Sequence, residues 1–390
     1  MDKVNYLIAG GGGAGLGLAY ALIASPLKDA SIVIVDRDSK NQNDRTWCFW
    51  GGPDAPFAHI AAHSWQKIAV RSEGFERVFD LASEGESGWR YWMVRGIDFY
   101  RHTRAALERM PNVRFIQGSV DCLEERADEV VAHVGDQAIS ARWAFDSIIR
   151  PGEISIDSSR YHNLKQHFLG WEIEAEQPVF QPDVATMFDF STPQHDDLRF
   201  MYVLPFSETR ALVEYTIFSA QLLERDQYAA ELRGYITRRL GIQSYTVHAE
   251  EQGSIPMTDY PFARRVGERI LNIGTKGGLV KPSTGYAFQR MQEDARAVVR
   301  SLVRHGHPFE GRSAPARYRF YDTLLLQILT REGSQMKPIF VQLFARNPIM
   351  RVFHFLNEDA PFRQDLALIA SLPPWPFLRA LARVKLLRKI

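Results

Sequence analysis

The first 36 residues constrain this chain more than any later stretch. Val4-Asn5-Tyr6-Leu7-Ile8-Ala9 reads as a short buried strand, and Leu16–Ala24 as a helix that stops at Ser25-Pro26. Between them Gly10-Gly11-Gly12-Gly13-Ala14-Gly15 fits the pattern G-x-G-x-x-G. Ser31-Ile32-Val33-Ile34-Val35-Asp36 follows as a second β-branched strand, ending in an acid 21 residues beyond Gly15. The first glycine permits the turn, the second lets backbone N–H groups reach a pyrophosphate, and the third lets helix and strand pack closely. The helix N-terminus favours phosphate charge, and Asp36 is placed to accept bonds from ribose hydroxyls. Strand, glycines, helix, strand and acid in this order specify a dinucleotide site.

This reading also disposes of a membrane span. Val4 to Leu27 is a 24-residue stretch without formal charge, long enough for a spanning helix or a signal peptide. Six glycines at positions 10 to 13, 15 and 17 argue against a regular spanning helix, and no other stretch predicts one. The 390 residues carry 47 basic and 46 acidic side chains, so no strong whole-chain field attracts nucleic acid. Cys48 and Cys122 are too few for a disulfide framework or a cysteine-rich metal fold, which favours a reducing compartment. Charge is nevertheless uneven. Arg379, Arg383, Lys385, Arg388 and Lys389 give the last 14 residues +5 and leave −4 on the rest. Phe377 to Arg388 is short, cationic and apolar and is expected to lie in a membrane interface; packing on the protein's own surface is the alternative.

A second glycine-rich segment points to the kind of dinucleotide. Arg269–Gly274 reads as a strand, Thr275–Lys281 as a loop, and Pro282-Ser283-Thr284-Gly285-Tyr286 as the opening of a helix with free N–H donors. Such a helix end suits the anionic pyrimidine side of a reduced flavin. The segment resembles the second flavin-contact motif of the p-hydroxybenzoate-hydroxylase-like fold, with Thr275 where an acid is common. FAD is therefore the expected cofactor, with a nicotinamide at most a transient reductant.

Further blocks converge on one family. Asn43-Asp44-Arg45-Thr46-Trp47-Cys48-Phe49-Trp50 resembles the Thr-Trp-x-Phe block that follows the second strand of lycopene cyclases. Phe168–Glu174 and Met187-Phe188-Asp189-Phe190 are similar to that family's central blocks. Phe200–Phe206 followed by Ala211-Leu212-Val213-Glu214-Tyr215-Thr216 resembles the strand pair that carries its functional carboxylate, and Gly253-Ser254-Ile255-Pro256-Met257 extends the series. The match is collinear from about residue 4 to 300 and is nearest to the flavobacterial type.

The resemblance implies an FAD-dependent, redox-neutral isomerase that closes the linear ends of lycopene to β-rings, by way of γ-carotene to β-carotene. It implies reduced FAD as the active form and NAD(P)H as reductant. It implies a linear carotenoid as substrate and a peripheral position on the cytoplasmic face of the inner membrane. Phosphate and ribose contacts are expected from Gly10, Gly12, Ala14, Gly15, Asp36, Arg37, Arg45 and Val120. Flavin contacts are expected from Gly274, Thr275, Gly278, Pro282, Thr284, Gly285 and Tyr286. Where many relatives have two adjacent acids, this chain has Glu214 followed by Tyr215, so Glu214 alone takes the role of essential carboxylate.

The chemistry explains the residue types. Cyclisation starts by protonating an alkene and ends by losing a ring proton, so the site needs a neutral acid, a nearby negative charge, a base and a dry tunnel. A carboxyl with an ordinary pKa of about 4.3 is ionised at pH 7 and must be buried to stay protonated. Glu214, between apolar neighbours, is the first candidate acid. Asp189 is a second site acid or a structural one, and Glu172 is a further candidate. Trp47, Trp171, Phe188, Phe190 and Tyr202 are candidate substrate-lining residues, whose faces can stabilise a cation. His59 and His63 lack the glutamate of a zinc-protease helix, and no metal is expected.

The expected fold class is α/β: a Rossmann-type FAD domain with an inserted antiparallel sheet and C-terminal helices. The FAD domain comprises residues 1–60, 92–158 and 253–300. The substrate sheet comprises 61–91 and 159–252, and 301–390 is helical. A flavin monooxygenase or a prenyl-lipid reductase on the same fold is the alternative function.

Overall fold

The computed structural model describes residues 3–84, 88–312 and 314–387. Apolar, β-branched runs make its first layer. Val4–Ala9 lies between Ile32–Asp36 and Gln137–Asp146, parallel to both, and Val113–Gln117 and Ile270–Asn272 extend the parallel array on either side. Val130–Val134 pairs antiparallel with Gln137–Asp146 and Cys122–Glu125 antiparallel with Val130–Val134, completing with Arg265–Val266 an eight-stranded sheet. The helices Gly13–Ile23, Gly96–Leu107 and Phe288–His305 bury Leu18, Phe99, Phe145, Val298 and their neighbours in one core.

The turn from the first strand into the first helix depends on two glycines. Gly10 has φ +101°, a region that favours glycine. A Cβ on Gly15 would lie 1.9 Å from the Gly10 carbonyl oxygen, so only a bare Cα lets the helix approach. The helix runs from Gly13, the last of four consecutive glycines, to Ile23, so it starts three residues before the expected Leu16, and no side chain caps it.

A seven-stranded sheet forms the second layer. Its order is Tyr245–Met257, Leu164–Ala175, Arg210–Ser219, Leu198–Pro205, Val184–Asp189, Lys67–Ser72 and Phe75–Asp80. All neighbours are antiparallel except Val184–Asp189 with Lys67–Ser72. Tyr245–Met257 runs unbroken past residue 253, so the substrate sheet continues to where the FAD domain was expected to resume. One face of this sheet is covered by Arg225–Arg238, burying Trp171, Val213, Tyr215 and Tyr235. The other faces Ala316–Glu332, Met336–Arg346 and Ile349–Asn357, which contain the apolar runs at 324–329 and 339–344. A three-stranded sheet, Thr46–Gly51, Arg90–Arg95 and His63–Trp65, lies beside these layers.

One local expectation is corrected: Pro282–Gly285 does not open a helix, because Gly285 has φ +73°, which a right-handed helix cannot contain, and the helix begins at Phe288. The last segment forms the helix Pro374–Leu387, whose Arg379 and Arg383 both pair with Glu332. Arg388 and Lys389 lie outside the described residues. Among the described residues no helix is long and apolar enough to cross a membrane.

Candidate active site

A single cavity of about 700 Å³ joins the glycine loop to the helical region. At its dinucleotide end lie Gly12, Ala14, Arg45, Trp47, Ser147, Gly274, Thr275, Thr284, Gly285 and Tyr286. A Cβ built on Gly12 meets nothing within 4 Å, so this glycine borders open space and not packed protein. The first N–H groups of the helix that follows have no intrahelical partners and face a negative ligand favourably. Asp36 accepts the Gly11 N–H at 2.5 Å and braces the loop from outside the cavity. Thr284 Oγ1 and Gln166 Oε1 are buried without a hydrogen-bond partner among the described residues, and both residues line the same cavity. Polar groups buried in this way call for a ligand to satisfy them. Open glycine cradle, uncapped helix and orphaned polar atoms together fit a flavin dinucleotide.

Other residues named from the sequence lie off the cavity. Gly10 and Gly15 shape the loop, and Gly278 packs on Phe262. Pro282 belongs to the turn closed by Lys281 and Tyr286 backbone groups. Arg37 is exposed, and Val120 is buried among Val33, Val35 and Val130. Trp47 stacks on Phe288 at 4.7 Å, forming part of the wall.

The middle of the cavity carries the acids. Gly170 on Leu164–Ala175 is paired with Glu214 on one neighbouring strand and with Glu251 on the other. A Cβ on Gly170 would lie 3.3 Å from Glu214 Cβ and 3.2 Å from Glu251 Cγ. The missing side chain lets the two carboxyls meet, and they hydrogen-bond each other. Thr216 Oγ1 donates to Glu214 at 2.6 Å, and Thr46 Oγ1 donates to Glu251 at 2.8 Å. Burial pushes Glu214 well above the usual carboxylate range, and the neighbouring charge of Glu251 adds to the rise. Burial also raises Glu251, against the hydrogen bonds it receives from Thr46 and Glu214.

Around the pair the walls are apolar and aromatic. Phe168, Phe188, Phe200 and Phe218 come from the sheet, and Phe340 and Phe344 from the helices. Tyr202, opposite Glu214 in the strand register, bonds Tyr91 through the two hydroxyls at 2.6 Å. Burial pushes the phenols of both, and the thiol of Cys48 beside them, upward, so all three stay neutral in ordinary buffers.

Four expectations from the sequence are corrected here. Asp189 is buried on the sheet face covered by Arg225–Arg238, where it accepts the Tyr235 hydroxyl at 2.8 Å and the Ser191 N–H at 2.9 Å. Trp171 lies on that same face, donating to Glu250 at 2.9 Å, because alternation along its strand turns it away from Gly170. Glu172 shares the face of Gly170 but lies beyond the cavity wall, ion-paired with Arg210. Phe190 stacks behind Phe188 at 5.5 Å without lining the cavity itself, while Trp47, Phe188 and Tyr202 do line it. Sequence reasoning missed Glu251. Its signal was available: it stands two residues before Gly253, and so on the same strand face as the start of a block already singled out.

The chain is similar in fold to a geranylgeranyl bacteriochlorophyll reductase-like protein from Thermoplasma acidophilum, with TM-score 0.61, 12% identity, and 98% of this chain and 100% of that one covered. It is also similar to a probable FAD-dependent monooxygenase from Pseudomonas aeruginosa, with TM-score 0.58, 14% identity, and 86% and 100% covered. Fold and glycine cradle therefore define the class: an α/β protein with the Rossmann-type fold of FAD-dependent enzymes, carrying a second sheet. Within that class the family model described as lycopene cyclase protein matches residues 5–382. The chain belongs to the lycopene cyclase family. It is 22% identical to the lycopene beta-cyclase of Pantoea ananas over 393 residues, covering 95% of this chain and 96% of that protein. It is 34% identical to the lycopene beta-cyclase of Paracoccus sp. over 227 residues, covering 54% and 57%.

Proposed function

We propose that the protein is an FAD-dependent, redox-neutral lycopene beta-cyclase, an isomerase that closes the ends of a linear carotenoid to β-rings. The observation that carries this reading is a buried pair of hydrogen-bonded carboxyls on the wall of an aromatic cavity continuous with the dinucleotide cradle. Glu214, kept protonated by burial, gives its proton to the terminal alkene. The resulting tertiary cation is attacked by the neighbouring double bond. Phe168, Phe200 and Phe218 line the cavity, where aromatic rings exclude water and can stabilise positive charge. Gly12, Thr275 and Thr284 would hold a reduced FAD, whose negative charge would stabilise the cation and so account for a redox cofactor in a reaction with no net electron transfer. NAD(P)H would act only as its reductant.

Collection of the substrate belongs to the same reading. Ile369, Leu372 and Phe377 line the helical end of the cavity. The helices Phe362–Ala370 and Pro374–Leu387 expose Phe362, Leu366, Trp375 and Leu378, the last two 70% and 51% accessible. Bulky apolar side chains beside an apolar opening suit peripheral attachment at the cytoplasmic face of a membrane that holds the carotenoid.

Anaerobic incubation with lycopene in liposomes, FAD and either dithionite or NADPH tests the proposal. The expected product has unchanged mass and β-rings, forms without stoichiometric NADPH loss, and is absent with Glu214→Gln. A product two or sixteen mass units heavier identifies a reductase or a monooxygenase instead.

A further inference from the structure

Proton loss, the last step of the cyclisation, has no residue assigned to it so far. A base for that step must stand beside the acid, reach the cavity, and be ionised while the acid is protonated. Glu251 meets each condition. It lines the cavity on the strand next but one to Glu214, across Gly170, and the two carboxyls bond each other. Two carboxyls so placed hold one proton between them, because two adjacent negative charges repel in a buried site. The more deeply enclosed Glu214 keeps the proton, and the Thr46 hydroxyl, donating at 2.8 Å, holds the charge on Glu251.

We propose that Glu251 is the base that removes the ring proton and thereby sets the position of the new double bond; this rests on the cyclase reading above. The Glu214 O–H bond breaks as its proton forms a C–H bond at the terminal alkene carbon. The electron pair of the second alkene then makes the ring C–C bond. A ring C–H bond breaks, its electrons become the ring double bond, and the proton goes to Glu251. That proton crosses the hydrogen bond between the carboxyls, leaving Glu214 protonated and Glu251 ionised for the next ring. Atoms and electrons balance without a co-reactant.

The titratable groups facing the pair are Cys48 on Thr46–Gly51, Tyr91 on Arg90–Arg95 and Tyr202 on Leu198–Pro205, all kept neutral by burial. Glu172, further along Leu164–Ala175, adds a weaker negative influence on Glu251. The pH response of the site therefore comes from the pair itself.

The test uses the full-length protein loaded with FAD, lycopene in liposomes, and the variants Glu251→Gln and Glu251→Asp beside the wild type. Glu251→Gln is expected to lower the cyclisation rate by about 10²-fold or more. Its residual product should include rings whose double bond lies at another position, because the cation then loses whichever proton a weaker base reaches. The alkaline fall in rate should begin at lower pH, since Glu214 has lost the neighbouring charge that raises it. Glu251→Asp keeps the carboxylate and should return β-rings at a reduced rate. β-Rings as sole product from Glu251→Gln at wild-type rate, or a slowed Glu251→Gln whose ring type and pH profile match the wild type, would overturn the assignment while leaving the cyclase reading intact. If the wild type leaves lycopene linear, both readings fall.

Discussion

The Thr216 hydroxyl donates to Glu214 at 2.6 Å from two residues further along the same strand face. This bond favours the ionised carboxylate and so opposes the rise that burial and Glu251 impose. The acid must be protonated to act, so activity is present below its pKa and lost as pH rises through it. Thr216→Val removes the donor at nearly constant volume. The alkaline limb of the rate profile is expected to move to higher pH, while a stability cost of about 1–3 kcal/mol reflects the oxygen left unpaired. A limb that stays in place or moves to lower pH would show that Glu214 is not the group titrating in the rate.

Gly12 and Gly15 belong to one motif yet predict opposite phenotypes. A Cβ at position 15 runs into the Gly10 carbonyl at 1.9 Å, whereas one at position 12 meets nothing within 4 Å. Gly15→Ala is expected to destabilise the flavin-free protein by about 1–3 kcal/mol through overpacking. Gly12→Ala should leave the unfolding midpoint of the flavin-free protein unchanged and weaken FAD binding by about tenfold or more, roughly 1.4 kcal/mol. Unfolding curves and flavin titrations on both variants separate the two effects. Equal loss of stability in both variants would contradict the open cradle.

The same contrast explains how much of the molecule was legible in the sequence. The glycine turn is local: its strand, glycines, helix and acid lie within 36 residues, and the structure joins them in that order, with the helix starting at Gly13 and Asp36 bonded to the Gly11 N–H. The paired carboxyls are not local. Glu214 and Glu251 meet only because both strands flank Gly170, and no spacing in the chain announces that register. Trp171 was drawn into the site because aromatic content says nothing about which sheet face a residue occupies, whereas alternation from Gly170 does. The C-terminal helices were recognisable as apolar, but their role as one wall of the cavity depends on packing across more than a hundred residues of sequence separation.

Asp189 provides a control for the placement of the acids. Its carboxyl is closed off by Tyr235 and the Ser191 N–H on the helix-covered face, with Arg239 3.7 Å away. Asp189→Asn is expected to cost about 1–3 kcal/mol in stability by disturbing these partners. The rate per folded molecule should stay within a few-fold of wild type and the pH profile should not move. A loss of turnover as severe as that of Glu214→Gln, in protein with a native unfolding midpoint, would return Asp189 to the site.

Lys281 and Glu358 make the last prediction, which concerns acid stability. Glu358 ends the helix Ile349–Asn357 in a left-handed conformation, φ +67°, and receives Lys281 at 2.9 Å, Arg290 at 2.6 Å and Arg312 at 2.9 Å. Burial works against its charge, but Lys281 and Arg290 outweigh that and bring its pKa from 4.5 down to about 2. A carboxyl lowered on folding stabilises the native state above its unfolded pKa, and this contribution is lost as pH falls through the folded value. The window is therefore pH 4.5 to 2, and the shift corresponds to about 3 kcal/mol. Glu358→Gln leaves three cations without their shared anion and should cost about 3–5 kcal/mol at neutral pH. The difference between variant and wild type should then shrink as pH drops from 4.5 toward 2, because acid neutralises the wild-type carboxyl as well. Urea unfolding of both proteins across that range measures it, and a difference that stays constant with pH would mean that Glu358 keeps its proton in the native state.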